Sequence, residues 1–252
     1  MQSTIIFIFG LVIGSFLNVC IHRIPLGETV ITKRSYCPHC KNTIRWYDNI
    51  PLISYILLLG RCRYCKGKIS PRYIIVEVLS AIMLFFLFRF FDFSIKFFVY
   101  GILVSTLIVI SFIDIKHRII PDGLSIGGIA VGFFLSVIFP SIQGANSHID
   151  SLLNSFLGIL VGGLIIYLLG LLGNFLFKKE SMGGGDVKLL AMIGAFIGWR
   201  LVLLTFFIAP IFGSIKLKKG VELIPYAPYL SLGAVMSILY GNTILSYLFG
   251  IY

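Results

Sequence analysis

Two carboxylates stand where a carboxylate is costly. The chain holds ten acidic residues. Asp114 closes an apolar run in Ser111-Phe-Ile-Asp114-Ile-Lys-His-Arg118, and Asp186 opens another in Met182-Gly-Gly-Gly-Asp186-Val-Lys188. An ionisable side chain at membrane depth is a functional hypothesis by default. Two adjacent carboxylates cannot both ionise easily, so such a pair holds one proton between its members. The ionised member can take a proton from water while the neutral member donates to a scissile carbonyl. That is peptide hydrolysis without a covalent intermediate. Gly183, Gly184 and Gly185 have no Cβ, so an extended substrate backbone can approach the pair closely. Lys188 follows at the same end as a further candidate substrate contact, and Glu77 is the third acid inside a span. Glu77 either positions substrate or makes a buried polar contact to a neighbouring helix. The competing reading of Asp114 and Asp186 is structural: each ends a helix beside Lys116 or Lys188. The remaining acids belong to loops, with Asp122 read as a turn residue after Pro121.

A second cluster is made of sulfur. Cys37-Pro-His-Cys40 and Cys62-Arg-Tyr-Cys65 are separated by 21 residues, just beyond the usual zinc-ribbon spacing. Two such turns let four thiolates converge tetrahedrally on one Zn²⁺, and four sulfur ligands leave no open position, so the metal would be structural. The basic neighbours Lys41, Arg61, Arg63 and Lys66 favour thiolate. Disulfide or redox use is the alternative, opposed by a reducing cytosol. His39 reads as a bystander, and Cys20, inside an apolar run, as a small filler.

These residues need a scaffold, and the composition says which. The 252 residues are 58% hydrophobic and 12% charged, against about half and about a quarter in soluble domains. A bilayer is the natural solvent for such a chain. Eight spans are expected: Thr4–Ile21, Tyr73–Phe91, Phe97–Ile115, Leu124–Phe139, Leu152–Phe177, Val187–Gly198, Leu201–Ile215 and Pro228–Phe249. Spans six and seven are short, and read as half-helices or one bent unit. The division is a first helix over 1–22, a cytosolic cysteine-rich loop over 23–72 and a membrane core over 73–252. The first run lacks a basic start and a cleavage site, so it reads as a retained helix with its N-terminus outside. With eight spans, 18 of the 21 lysines and arginines fall on one side, leaving Arg89, Lys96 and Arg200 on the other. That asymmetry follows the positive-inside rule and accounts for the net charge of +11 without nucleic acid. The glycine pairs Gly10/Gly14, Gly158/Gly162 and Gly194/Gly198 are expected to pack helices within the chain.

Taken in order, the motifs resemble a known family. Gly14-Ser-Phe-Leu-Asn18-Val, Arg23-Ile-Pro25, the two cysteine pairs, Ile44-Arg-Trp-Tyr-Asp-Asn-Ile-Pro-Leu52, Ile69-Ser-Pro-Arg-Tyr73 with Glu77, Ile113-Asp114, Ile120-Pro-Asp122 and Met182-Gly-Gly-Gly-Asp186-Val-Lys-Leu189 are similar to the bacterial type 4 prepilin peptidases. These are membrane aspartic proteases marked by a Gly-x-Gly-Asp motif. The resemblance implies an all-α polytopic protein of the bacterial inner membrane, with its active site at the cytosolic face. It implies cleavage of the short basic leader from type IV prepilins, pseudopilins and competence pilins. Asp114 and Asp186 match the family's two catalytic aspartates. It also implies N-methylation of the newly exposed residue, with S-adenosylmethionine as donor, at no site that residue chemistry assigns. Two departures stand out. The chain is shorter than usual between Trp199 and Pro225-Tyr-Ala-Pro228, and Ala227 stands where the family often has glycine.

Two other classes fit parts of the sequence. A non-catalytic scaffold for a secretion or pilus assembly would keep the zinc loop and tolerate loss of both aspartates. A proton-relaying transporter would use intramembrane acids, but along a path through the bilayer instead of at one face.

Overall fold

With no water in the bilayer core to satisfy a backbone, helix is the way for a single segment to cross it. A computed structural model describes residues 1–31, 34–177, 183–214 and 225–250, and among them there are helices, turns and two isolated bridges. Lys33, Lys178, Lys179, Glu180, Met182, Lys216, Lys218, Lys219 and Glu222 lie outside the described residues. The chain forms two units, Met1–Asp92 and Phe93–Tyr252.

The first unit is built from α1 (Gln2–Arg23), the short α2 (Ile53–Leu57) and α3 (Arg72–Phe91). Helix α1 lies against α3 because its glycines admit a backbone. A Cβ at Gly10 would come within 2.5 Å of the Ala81 Cα, and one at Gly14 within 2.5 Å of the Glu77 Cα. Asn18 adds a polar tie, its side-chain amide donating to the Tyr73 carbonyl at 2.9 Å. Where α1 ends, the buried Arg23 guanidinium donates to the carbonyls of Thr29, Val30 and Arg34, which folds the following chain around it.

The second unit contains α4 (Ile95–His117), α5 (Asp122–Ile138), α6 (His148–Phe177), α7 (Gly184–Ser214) and α8 (Ala227–Phe249). Among the described residues six helices, α1, α3, α4, α6, α7 and α8, are long and apolar enough to cross a membrane, and α5 is a shorter apolar helix. Asp122 does not sit in a free turn: it opens α5.

Expected spans six and seven are both in α7, which is broken at Gly198 with φ 79° and ψ 173°. Its halves pack on different partners in opposite directions. Before the break, Leu190 faces Gly162 and Gly194 faces Gly158 on α6. After it, Leu201 faces Gly241 and Thr205 and Ala209 face Gly233, so this half runs antiparallel to α8. The chain therefore turns back at Gly198, and the two halves read as two passes. Breaking a helix strands its last carbonyls, and buried side chains take them up. Ser136, Gln143 and Ser155 all donate to the Ala195 carbonyl, and Gln143 also reaches that of Phe196. Gly194 and Gly198 both pack against α6 as expected, a Cβ at Gly158 coming within 3.0 Å of the Gly198 carbonyl carbon, and Gly198 also supplies the turn.

Candidate active site

Four helix ends of the second unit meet at one end of it. Asp114 lies in the last turn of α4 with its side chain buried, and its Oδ2 accepts the Ala227 N–H at 3.1 Å. That amide belongs to the first turn of α8, where backbone N–H groups have no intrahelical partner and the helix dipole favours an anion. Pro228 follows, suited to the first turn because its ring has no N–H to leave unpaired. One turn back from Asp114, the Ser111 hydroxyl donates to Ser231 at 2.9 Å, and Ser231 donates to the Ala227 carbonyl at 2.8 Å. Both faces of the α8 start are thereby fastened to α4.

Asp186 is in the first turn of α7, and its N–H donates to the Gly183 carbonyl at 3.1 Å. A Cβ at Gly183 would lie 3.7 Å from the Asp186 Oδ2, so the carboxylate folds over that glycine. Gly183 and Gly184 are exposed, and a Cβ at Gly184 would meet nothing within 4 Å. Gly185 is different: a Cβ there would stand 3.0 Å from Ile120, so this glycine admits the chain entering α5. The Asp114 and Asp186 carboxylates are close enough for the charge of one to act on the other. Burial, and then the Asp186 charge, raise the Tyr226 hydroxyl above its ordinary titration range. The start of α8 thus brings Tyr226 to Asp186 and Ala227 to Asp114.

Lys188 points its ammonium at Asp122, 2.7 Å from Oδ1, and so ties α7 to α5. Glu77 belongs to the first unit. It is buried there and its Oε2 accepts the Leu52 N–H at 2.9 Å, which holds the cysteine-bearing loop on α3. Tyr226, the Ala227 amide, Ser111 and Ser231 were not among the residues singled out from sequence. For Tyr226 and Ala227 the one signal was the segment Pro225-Tyr-Ala-Pro228, whose prolines and aromatic ring mark a constrained helix start; Ser111 and Ser231 gave none.

The four cysteines also converge. Their sulfurs lie within 4.8 Å of one another, with Cys37 to Cys65 at 3.9 Å and Cys40 to Cys62 at 4.0 Å. Four sulfurs about 2.3 Å from a tetrahedral Zn²⁺ would be about 3.8 Å apart, so the cage fits the ion. Each pair occupies the same turn. Lys41 N–H returns to the Cys37 carbonyl and Lys66 N–H to that of Cys62, with both lysines at positive φ. Backbone N–H groups of Cys65 and then Tyr64 act on the Cys62 sulfur and hold its thiol down at about 7. None of the four is in a disulfide, and a Cβ at Gly67 would stand 3.1 Å from the His39 ring and 3.3 Å from the Cys65 sulfur, so this glycine lies close against the cage.

Residues 8–91 match the family described as Bacterial Peptidase A24 N-terminal domain, and residues 101–217 match the Type IV leader peptidase family. The chain is 35% identical over 250 residues to the type 4 prepilin-like proteins leader peptide-processing enzyme of Escherichia coli, covering 91% of this chain and 90% of that one. The chain belongs to the type IV leader peptidase family. Within the family it is 31% identical to the prepilin leader peptidase/N-methyltransferase of Bacillus subtilis, over 97% of this chain and 96% of the relative. It is 36% identical to the protein of that name in Myxococcus xanthus, where the match covers 84% of this chain but 61% of the relative. No solved structure matches the chain. Family membership and six helices of spanning length and composition make this a multi-pass membrane protein.

Proposed function

We propose that the chain is an aspartic endopeptidase that removes the basic leader from type IV prepilin-like precursors, with Asp114 and Asp186 as the catalytic pair. The observation that carries this is the gathering of both carboxylates at one end of the second unit, Asp114 taking the Ala227 amide and Asp186 following Gly185, which packs on Ile120 just beyond α4. The pair shares one proton. Its ionised member takes a proton from the attacking water, and its protonated member donates to the scissile carbonyl as the tetrahedral centre forms. The open backbone at Gly183 and Gly184 offers room for an extended substrate segment beside Asp186. The same end of the second unit carries Lys116 and Arg118, and the positive-inside rule puts it at the cytosolic face of the inner membrane. The N-terminus is then outside.

Zn²⁺ held by Cys37, Cys40, Cys62 and Cys65 would lock two turns of the first unit together and take no part in hydrolysis. The printed names of several relatives include N-methyltransferase, and methyl transfer from S-adenosylmethionine to the new N-terminus is proposed on that likeness. Among the described residues no donor set singles out that cofactor, so no step is derived through it.

The test is cleavage of a reconstituted prepilin by wild type, Asp114→Asn and Asp186→Asn. Asn keeps the size but cannot exchange the proton. Loss of cleavage in both folded variants supports the pair. Wild-type rates in either one refute it, and an inert wild type favours the scaffold reading. Mass spectrometry of the product reads the added methyl group.

A further inference from the structure

Most exposed apolar side chains of this protein lie on helices that cross the bilayer, but one group does not. Trp46, Ile53, Ile56, Leu57 and Leu59 belong to the loop between α1 and α3, and Trp46, Leu57 and Leu59 are 80%, 77% and 84% exposed. They are presented on purpose-built geometry. Ser54 is buried beneath α2, its hydroxyl donating to the Tyr47 carbonyl at 2.8 Å, and the Tyr55 hydroxyl donates to the Ile69 carbonyl of the same loop. The polar side of α2 thus faces the loop and the apolar side faces out.

The depth of this segment is fixed by α3. Leu52, the residue before α2, donates its N–H to Glu77. Glu77 is five residues into a span that begins at Arg72, or about 7.5 Å along the helix. An amphipathic interfacial helix buries its apolar face to about 5–10 Å. Leu52 therefore stands at headgroup depth, and the apolar residues that follow it have lipid within reach. The charges agree. Arg45, Arg61, Lys66, Lys68 and Arg72 flank the patch in sequence, and of the acids beside it Asp48 is engaged by Arg63 at 2.6 Å while Glu77 accepts the Leu52 N–H.

We propose that residues 46–59 are an interfacial anchor, laid in the headgroup–acyl boundary of an anionic leaflet beside the start of α3. It would fix the cysteine cage at the membrane surface independently of any catalytic role. The occupant is lipid, since the patch combines apolar tips, a cationic rim and a hydrogen bond into a membrane span.

The chain has two tryptophans, Trp46 and Trp199, so Trp199→Phe leaves Trp46 as sole reporter. The variant is reconstituted in vesicles of phosphatidylcholine and phosphatidylglycerol carrying bromine at shallow or deep acyl positions. Shallow bromine should quench Trp46 about two-fold more than deep bromine, with less quenching when phosphatidylglycerol is left out. Leu57→Asp with Leu59→Asp should open Trp46 to aqueous iodide. Iodide quenching equal to that of free N-acetyltryptophanamide, with no effect of bromine, overturns the proposal because the loop is then solvated. Quenching by neither agent also overturns it, because protein then covers the patch. If Trp199→Phe does not fold, the difference between wild type and Trp46→Phe gives the same reading.

Discussion

The carboxylate of Asp114 takes the backbone amide of Ala227, 113 residues further along the chain. One hydrogen bond thus joins the end of α4 to the beginning of α8. It is a main-chain donor, so the side chain at 227 can change while the contact persists. Ala227→Gly should keep the contact, and it removes one buried methyl group worth about 0.8 kcal/mol. Prepilin cleavage should stay within a few-fold of wild type. Ala227→Pro deletes the amide and should reduce kcat by about 100-fold, the range seen when a positioned donor is lost. Retained fold, checked by the thermal transition in detergent, separates this loss from unfolding.

Ser231 holds the other side of the same peptide by donating to the Ala227 carbonyl, and receives the Ser111 hydroxyl in turn. Neither serine touches the carboxylates in the described contacts. Each net hydrogen bond contributes about 1 kcal/mol. Ser231→Ala should therefore lower kcat/KM about five-fold, with a smaller change for Ser111→Ala, which leaves the Ser231 bond to the carbonyl in place. A loss as large as that of Asp114→Asn would make Ser231 a participant instead of a support.

Much of the site was legible before the fold, and the reason is chemical. Asp114 and Asp186 are conspicuous because apolar runs contain few acids, and four cysteines in two repeated turns predict their own convergence. The glycine pairs at 10/14 and 158/162 named helix contacts that the structure contains. Gly198 packs against α6 as expected, but its turn went unread because a glycine in a sequence gives no sign of its φ. Lys188 was read as a substrate contact, and Glu77 as that or a buried polar contact, on position alone; their partners Asp122 and the Leu52 amide could not be named from sequence. Such pairings join residues 66 and 25 positions apart, and periodicity carries no information about them. Tyr226 stayed hidden because its role comes from where α8 begins.

The helix contacts differ sharply in tolerance. A Cβ at Gly194 would press on the Gly158 backbone, and one at Gly158 on that of Gly194. Gly194→Ala should destabilise by about 1–3 kcal/mol, the cost of overpacking a tight core. Gly127 is exposed on α5 with nothing within 4 Å of an added Cβ. Gly127→Ala should be neutral or slightly stabilising through better helix propensity, by up to about 1 kcal/mol. Thermal unfolding of both variants in one detergent checks the contrast, and equal transitions would show that α6 and α7 part more easily than their geometry implies.

The cysteine cage makes a prediction about protons. The Cys62 thiol is held at about 7, below the ordinary value of 9.0, chiefly by the Cys65 amide. A lowered value means the thiolate is present above that range and is lost as pH falls through it. Metal binding needs thiolate, so it should weaken on acidification. The purified chain should carry one zinc per molecule, release it between about pH 7 and about pH 5, and lose it on Cys37→Ser or Cys62→Ser. Metal content is measured by elemental analysis at each pH, beside cleavage at neutral pH. If Cys37→Ser and Cys62→Ser both keep the full zinc content, the four sulfurs are not its ligands.

Gly198 bears on topology as well as stability. Its φ of 79° with ψ of 173° lies in a region that is essentially glycine's alone, and other residues there cost about 1–3 kcal/mol. Gly198→Ala should therefore lower the thermal transition, and Gln143→Ala should add to the loss by stranding the Phe196 carbonyl. The turn also fixes where the flanking charges emerge. Arg200, just after it, should face the side opposite Lys116 and Arg118. In intact spheroplasts, an impermeant thiol reagent should label Arg200→Cys, while Lys116→Cys should react only after permeabilisation. Labelling of both from one side would mean that α7 crosses once, and the two halves would then have to be one tilted span.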